Sequence, residues 1–163
     1  MSSYRPICNM QIYEKIVEEV LKKKIVGYLQ ENNIILAEHH GGRKAHSTAT
    51  AKAVLEEAAH KNLDKNKLGV LVSTDMTSAF DTVDHSILKK KLRYYGIEGR
   101  LMKVLDSYLD ERTQYVEIQL EKSNVTKSLK CSVVQGSKLS GILYTIYTNE
   151  VVKLHELIKD KEC

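Results

Sequence analysis

The chain has 163 residues, enough for a single domain with a hydrophobic core, and its apolar share of 42 % is ordinary for a globular protein. Its net charge is +4 at pH 7, a mild basic excess that fits a partner carrying phosphates without requiring one. It contains neither a secretion signal nor an apolar run of the roughly 18 residues that a membrane span needs, so we expect an intracellular protein of the cytoplasm or nucleus with no membrane partner.

The first half of the chain is predicted to form two helices. Apolar residues recur at helical spacing from residue 10 to residue 29, with lysines and glutamates between them. A basic loop follows, and Ser47 or Thr48 can cap a second helix with a narrow, alanine-rich face. The apolar positions are Ile12, Ile16, Val20, Leu21, Ile25, Tyr28 and Leu29 in the first helix, and Ala51, Val54, Leu55, Ala58 and Ala59 in the second.

An apolar, β-branched run at Val70–Val72 predicts a strand that leads to the carboxylate of Asp75. A strand that delivers an Asp to the exposed end of a sheet can present a metal ligand to a cleft. An isolated Asp at such a place more often caps the next turn, so both interpretations stay open. Phe80, five residues later, is by itself best explained as an aromatic residue of the core.

The second half of the chain predicts two more helices, a hairpin and a terminal helix. Asp84 is a suitable N-cap for a helix that Gly96 would close, and the next helix carries apolar residues from Leu101 to Tyr108. Alternating apolar residues on either side of a polar turn at Glu121–Asn124 predict the hairpin. The apolar positions are Val116, Ile118, Leu120, Leu129, Cys131 and Val133 in the hairpin, and Leu139, Ile142, Leu143, Ile146, Tyr147, Val151 and Leu154 in the terminal helix.

Two loops carry residues suited to binding nucleotides, and each loop also has a simpler explanation. Arg43 and Lys44 could hold phosphates on a glycine-flanked loop, or they could belong to an ordinary solvated basic loop. Gln135 and Gly136 could contact a base pair, because the glycine gives the backbone room and the amide offers a donor and an acceptor. The same residues could form a plain strand-to-helix turn in which Ser137 is the N-cap.

Several sequence blocks follow one another in an order that resembles the reverse transcriptases of non-LTR retrotransposons. They are Y-R-P-I-C-N from Tyr4, E-H-H-G-G-R-K-A-H-S-T from Glu38, D-x-x-x-A-F-D from Asp75 (motif A), S-Y-L-x-x-R-x-Q-Y-V from Ser107, Q-G-S-x-L from Gln135 (motif B) and L-x-x-x-Y-x-N-E from Leu143. The resemblance covers nearly the whole chain, and several blocks in register are much stronger evidence than any single block.

The resemblance implies a right-hand polymerase that extends a DNA primer on an RNA template, using deoxynucleoside triphosphates and two-metal phosphoryl transfer. The expected fold class is α+β, with fingers and an incomplete palm in which helices pack on a small antiparallel sheet. Residues 1–163 would form one partial domain. The expected fingers segments are about 1–70 and 85–132, and the palm elements are about 71–84 and 133–163.

The resemblance also assigns expected roles to individual residues. Asp75 is implied as the catalytic metal ligand of motif A, and Met76 as a donor of its backbone carbonyl to the second metal. The residues implied to contact the nucleotide are Arg43 and Lys44 at the triphosphate, Phe80 at the gate that excludes a ribose 2′-hydroxyl, and Gln135 and Gly136 at the nascent base pair.

The chain departs from the family pattern in ways that bear on activity. Val134 replaces the proline of motif B, and the family's Y/F-x-D-D motif C is absent from the sequence. Tyr108-Leu109-Asp110-Glu111 looks superficially similar but precedes motif B, and the chain stops at Cys163, before motif C and the thumb would occur. One carboxylate cannot hold two Mg²⁺ ions, so we expect Mg²⁺ or Mn²⁺ to bind only if the missing carboxylates are supplied.

The sequence therefore leaves two functions open, and with them the question of whether the chain is an enzyme. The first is a reverse transcriptase domain fragment that is inactive on its own. The alternative is a non-catalytic nucleic-acid-binding module derived from a retrotransposon. We also expect self-association, because the strand at Val70–Val72 would lack its motif C partner and expose an unpaired sheet edge.

Overall fold

A computed structural model describes residues 8, 10–41, 43, 45–110, 113–114, 117–118, 121–122, 127–128 and 131–153. The helices among them are α1 (Ile12–Glu31), α2 (Thr48–Asp64), α3 (His85–Tyr94), α4 (Gly99–Leu109) and α5 (Ser140–Thr148), with a 3-10 helix at Asn149–Lys153. Four two-residue strands, β1 (Thr113–Gln114), β2 (Glu117–Ile118), β3 (Glu121–Lys122) and β4 (Lys127–Ser128), pair as β1 with β4 and β2 with β3, both antiparallel.

Two of the helices begin at the capping residues that the sequence predicts. Ser47 and Thr50 form a reciprocal capping box, in which each side chain accepts a hydrogen bond from the other's backbone N–H. The carboxylate of Asp84 accepts hydrogen bonds from the backbone N–H groups of Ser86 (2.7 Å) and Ile87 (3.0 Å). Both side chains satisfy N–H groups that have no partner inside the helix, so α2 and α3 start where they do for a local reason.

The end of α3 requires a glycine for two independent reasons. Gly96 has a φ of +82°, and its N–H donates to the carbonyl of Arg93 while Ile97 donates to that of Leu92, which is a Schellman motif. A Cβ at Gly96 would also collide with the hydroxyl of Tyr28 on α1. The prediction that Gly96 closes α3 is confirmed.

The Asp84 cap leads to a pH-dependent prediction. The hydroxyl of Ser86 and the backbone N–H of Ile87 hold the pKa of the Asp84 carboxyl below its ordinary value. A lowered pKa in the folded chain stabilises the fold above the unfolded pKa of about 3.9, and this stabilisation is lost as the pH falls through the folded pKa. We therefore expect wild type to be more stable than Asp84→Asn at pH 7, and the difference to shrink below pH ~4. Urea unfolding of both proteins at pH 7 and pH 3 measures this, and an equal difference at both pH values would contradict it.

The hydrophobic core lies between α1, α3, α4 and α5. Its buried residues are apolar and lie on the inner face of each helix and on the connecting segments. They are Leu21, Ile25, Leu29, Val83, Leu88, Leu92, Ile97, Met102, Leu105, Leu109, Val133, Leu139, Ile142, Leu143 and Ile146. The helices thus pack on one another around this set of core residues.

The expected fold class, an α+β fold with helices packed on an antiparallel sheet, is therefore wrong for this structure. The predicted strand at Val70–Val72 does not form: residues 67–76 have no regular structure, and the side chains of Val70, Leu71 and Val72 are 91 %, 73 % and 78 % exposed. A strand needs a neighbour to satisfy its backbone N–H and C=O groups, and no described strand pairs with this segment.

An antiparallel hairpin forms in this region, but the predicted turn and second strand are wrong. Cys131, expected in the second strand, instead forms an isolated bridge with Asp84. Glu117 pairs with Lys122 and Ile118 with Glu121, so Glu121 and Lys122 are strand residues and not part of a turn at Glu121–Asn124. The connection between paired strands sets their register, and three alternating apolar residues are too few to fix it from the sequence. Predicted strand residues Val116, Leu120 and Leu129 lie outside the described residues.

Two helices, α1 and α2, bury fewer apolar residues than the sequence predicts. In α1 the buried face begins at Glu18, whereas Ile12, Ile16 and Val20 are half or more exposed. None of the 17 residues of α2, all within the described part of the chain, is buried, although its alanine-rich face was predicted to pack.

The terminal helix is shorter than predicted, since it becomes a 3-10 helix at Asn149. No helix in the described ranges is long and apolar enough to cross a membrane.

Candidate functional site

Phe80 and Met76, two residues of the motif A block, both contact Tyr144 on α5. The rings of Phe80 and Tyr144 lie 5.2 Å apart between centroids, and the Tyr144 hydroxyl donates a hydrogen bond to the sulfur of Met76 (3.1 Å). The backbone carbonyl of Phe80 accepts a hydrogen bond from the N–H of Val133 (2.9 Å). This bond fixes Phe80 next to the segment that leads into Gln135.

Gln135 and Gly136 occupy a tight turn between that segment and α5. Gly136 has a φ of +98°, a conformation that favours glycine. The carbonyl of Gln135 accepts a hydrogen bond from the N–H of Cys8 (3.1 Å), and the hydroxyl of Ser140 donates to the carbonyl of Val134 (2.5 Å). The two carbonyls that precede the glycine are therefore both anchored.

Glu18 is the residue of this region that sequence reasoning missed. Its side chain is 1 % exposed, and its carboxylate accepts hydrogen bonds from the hydroxyls of Tyr108 (2.7 Å) and Ser137 (2.6 Å) and from the N–H of Lys138 (2.9 Å). A signal was present, because Glu18 lies three residues before Leu21 on the buried face of α1. A charged residue at an apolar position of a helix requires partners of this kind.

Arg43 lies on the other predicted binding loop, where part of its hydrogen-bonding capacity is used within the loop. Its guanidinium donates to the carbonyls of Leu36 (2.9 Å) and Ala37 (3.2 Å). It borders a cavity of about 230 Å³ whose lining residues are Val26, Leu29, Gln30, Asn33, Ile35, Arg43, His46 and Ile142. Lys44 lies outside the described residues.

Asn149 holds the base of the Arg43 loop. It is buried, its amide oxygen accepts from the N–H of Leu36 (3.1 Å), and its amide nitrogen donates to the carbonyl of Ile34 (2.9 Å) and to the hydroxyl of Tyr95 (3.1 Å). Burial, together with a hydrogen bond to Glu150, raises the pKa of Tyr95 to about 12. Ile34 and Leu36, whose carbonyl also accepts from Arg43, therefore tie the loop to Asn149 at the end of α5.

The structure does not bring all the predicted site residues together. Ile142 lines the Arg43 cavity, and Tyr144 contacts Phe80. Residues that are two positions apart on an α-helix point in directions that differ by about 200°. Arg43 and Phe80 thus lie on opposite sides of α5. The carbonyl of Phe80 is bonded to Val133, in the segment that leads into the Gln135 turn.

Asp75 is exposed on the segment without regular structure. Among the described residues, no three His, Cys, Asp or Glu side chains form a group that could hold a metal ion. A divalent ion needs several oxygen ligands and a matching negative charge. The described side chains therefore do not fit a magnesium site around Asp75.

The lysine clusters of the sequence are only partly available to a ligand. On α3, Lys89 pairs with Asp106 (3.4 Å) and Asp110 (2.5 Å), and Lys91 binds Glu150. Lys15 and Lys24 on α1 and Lys90 on α3 are exposed, whereas Lys23 pairs with Glu19 (3.8 Å). Both helices therefore offer exposed lysines to a phosphate backbone.

Comparison with known proteins identifies the family to which this chain belongs. The family model for reverse transcriptase (RNA-dependent DNA polymerase) matches residues 1–161, so the chain belongs to the reverse transcriptase family. The resemblance to non-LTR retrotransposon enzymes that the motifs indicated is confirmed by the individual relatives.

The relatives are much longer proteins. The chain is 29 % identical over 155 residues to a probable RNA-directed DNA polymerase from transposon BS of Drosophila melanogaster, covering 91 % of this chain and 16 % of that protein. It is 26 % identical over 156 residues to the corresponding protein of the X-element of the same species, covering 92 % and 16 %. A retrovirus-related Pol polyprotein from the type-1 retrotransposable element R2 of Popillia japonica is 21 % identical over 151 residues, covering 93 % and 21 %. The chain thus spans about a fifth or less of the length of these relatives.

Proposed function

We propose that this chain forms the part of an RNA-directed DNA polymerase that holds the primer–template end and the incoming nucleotide. The observation that carries the proposal is the hydrogen bond between Val133 and Phe80. It joins motif A to the residue two positions before Gln135 of motif B, although the two blocks lie more than fifty positions apart in the sequence. The order of the motif blocks and the family match over residues 1–161 support the same function.

The proposed contacts centre on the Phe80 side of α5. There Gln135 and Gly136 would contact the nascent base pair, and Phe80 would crowd a ribose 2′-hydroxyl. Arg43 would meet the triphosphate, since a guanidinium pairs well with phosphate oxygens, and Lys44 would assist it. Because a helix is about 10–12 Å across, one nucleotide cannot contact both of its sides, so this contact would require the Arg43 loop to move to the Phe80 side. In this proposal the fingers are residues 1–70 and 85–132, and the palm elements are residues 71–84 and 133–163.

Asp75 would supply one carboxylate for a divalent metal and Met76 a backbone carbonyl. The described residues do not complete such a site, and the sequence contains no Asp-Asp pair. We therefore expect the 163-residue polypeptide to incorporate no nucleotides on its own with either Mg²⁺ or Mn²⁺.

A second candidate function is non-catalytic binding of nucleic acid. The observation that favours it is the exposure of the segment from Lys67 to Met76, which leaves Asp75 without a sheet to fix its position. The two candidates share the binding surface and differ in catalysis. Template-dependent incorporation of nucleotides by wild type, abolished in Asp75→Ala, would favour a complete enzyme. If wild type incorporates no nucleotides, the binding function remains.

Binding to a primer–template duplex tests the proposed function directly. We expect weak, salt-sensitive binding, with the logarithm of the association constant falling linearly with the logarithm of the salt concentration by roughly 0.9 per phosphate contact, as on B-form DNA. Gln135→Ala should weaken binding about tenfold, the effect of one lost hydrogen bond, without changing the salt slope. Fluorescence anisotropy with a labelled DNA primer on an RNA template measures both quantities.

Gln11→Ala is the matched control, because Gln11 is an exposed glutamine whose side chain makes no cap hydrogen bond to α1. It should bind like wild type. An equal loss in both variants would contradict a specific contact at Gln135. No measurable binding of wild type at low salt would contradict the proposed function itself.

A further inference from the structure

We infer that Glu18 is a positioning residue that fixes the Gln135–Gly136 turn in the shape needed to contact nucleic acid, an inference that rests on the proposed function. The carboxylate touches the turn at two consecutive residues, Ser137 and Lys138. Its third donor, Tyr108, comes from α4. One side chain of α1 thus links two segments that lie 90 and about 120 positions away in the sequence.

A buried carboxylate is costly unless its oxygens are fully hydrogen-bonded, and Glu18 has the required partners. Its Oε1 accepts from two hydroxyls and its Oε2 from a backbone N–H. An apolar residue would fill the same space on α1 without this desolvation penalty. The specific effect of the carboxylate is to select one conformation of the residues it binds.

The turn itself depends on support from outside. Gly136 has a positive φ and no side chain, so it cannot hold its own conformation by packing. Glu18 binds the next two residues, and the hydroxyl of Ser137 also accepts from the N–H of Leu139 (3.0 Å). Glu19, beside Glu18, pairs with the ammonium of Lys138 (2.8 Å) at the surface. Both the backbone and the side chain of Lys138 are therefore held by α1.

Glu18→Gln tests the inference because it changes one atom of the carboxylate and keeps its size. The amide oxygen can still accept from both hydroxyls, but the amide nitrogen becomes a donor facing the N–H of Lys138. We expect faster hydrogen exchange of the Lys138 amide and about tenfold weaker binding of the primer–template, with an unchanged salt slope. Glu14→Gln on the exposed face of α1 makes the same charge change and should match wild type in both measurements.

Tyr108→Phe and Ser137→Ala each remove one donor, and they allow the same test if Glu18→Gln does not fold. Binding constants are compared at equal concentrations of folded protein, so that a loss of stability alone does not change them. Faster Lys138 exchange with unchanged affinity would overturn the role in binding, and unchanged exchange would overturn the positioning role. If wild type fails to bind, the proposed function is wrong, and Lys138 exchange still decides whether Glu18 fixes the turn.

Discussion

Leu143→Ala is expected to lower the free energy of unfolding by about 2–5 kcal/mol, the range measured when a buried leucine is truncated. Leu143 is 0 % exposed and lies on α5, the helix that contacts α3. The substitution removes apolar contacts and leaves a cavity that a core of packed helices can close only in part. Because single domains are stable by only about 5–15 kcal/mol, this change removes a large part of the total. Urea unfolding followed by circular dichroism measures it.

Val20→Ala is the control for Leu143→Ala. Val20 lies on α1 and is 50 % exposed, although the sequence pattern placed it on the buried face. A surface substitution of this kind changes stability by about 0.5 kcal/mol or less. Equal losses in the two variants would show that the core does not lie where α3 and α5 meet.

The exposed segment around Val70 and Val72 is expected to drive self-association of the chain. These side chains are 91 % and 78 % exposed, Leu71 is 73 % exposed and Leu68 is fully exposed, so four apolar residues of one short segment face water. The segment forms no strand, but its exposed apolar surface and unpaired backbone groups favour association with other chains. The double substitution Val70→Lys with Val72→Lys should convert oligomers or aggregates into monomer, measured by sedimentation velocity at the same protein concentration.

Ser73→Lys combined with Thr74→Lys adds the same two charges to the same exposed segment but removes no apolar surface. We expect this control to associate like wild type. If it were monomeric to the same extent as the valine variant, charge repulsion rather than apolar contact would explain the result. A monomeric wild type would contradict the association altogether.

Local signals in the sequence predicted the parts of the fold that depend on neighbouring residues. Ser47 and Asp84 cap their helices and Gly96 closes α3, because each acts through residues within four positions. The strand at Val70–Val72 failed for the opposite reason. A strand depends on a partner elsewhere in the chain, and the apolar run alone carries no information about whether that partner is present.

The candidate site shows the same division. The glycine turn at Gln135 and the aromatic at Phe80 were recognisable from their motifs, and the structure places them together. Glu18 was missed as a functional residue, and Asn149 was matched only as part of a motif block, because the importance of both lies in contacts with segments more than 80 positions away. The partners of a buried polar side chain become visible only in the folded structure. For Glu18 the sequence contained one signal, because the apolar spacing of α1 places this charged residue on the buried face.

The absence of buried residues from α2 has a consequence for how the molecule fluctuates. This helix is held by its own backbone hydrogen bonds, its capping box, ion pairs such as Lys61 with Glu57, and one hydrogen bond between Thr50 and His40 (2.9 Å). Isolated helices of this length are marginal in water. The helix therefore opens and closes independently of the core, as a separate cooperative unit of low local stability. A partner that covered its apolar face at Val54 and Leu55 would shift this local equilibrium toward the helix while leaving the core unchanged.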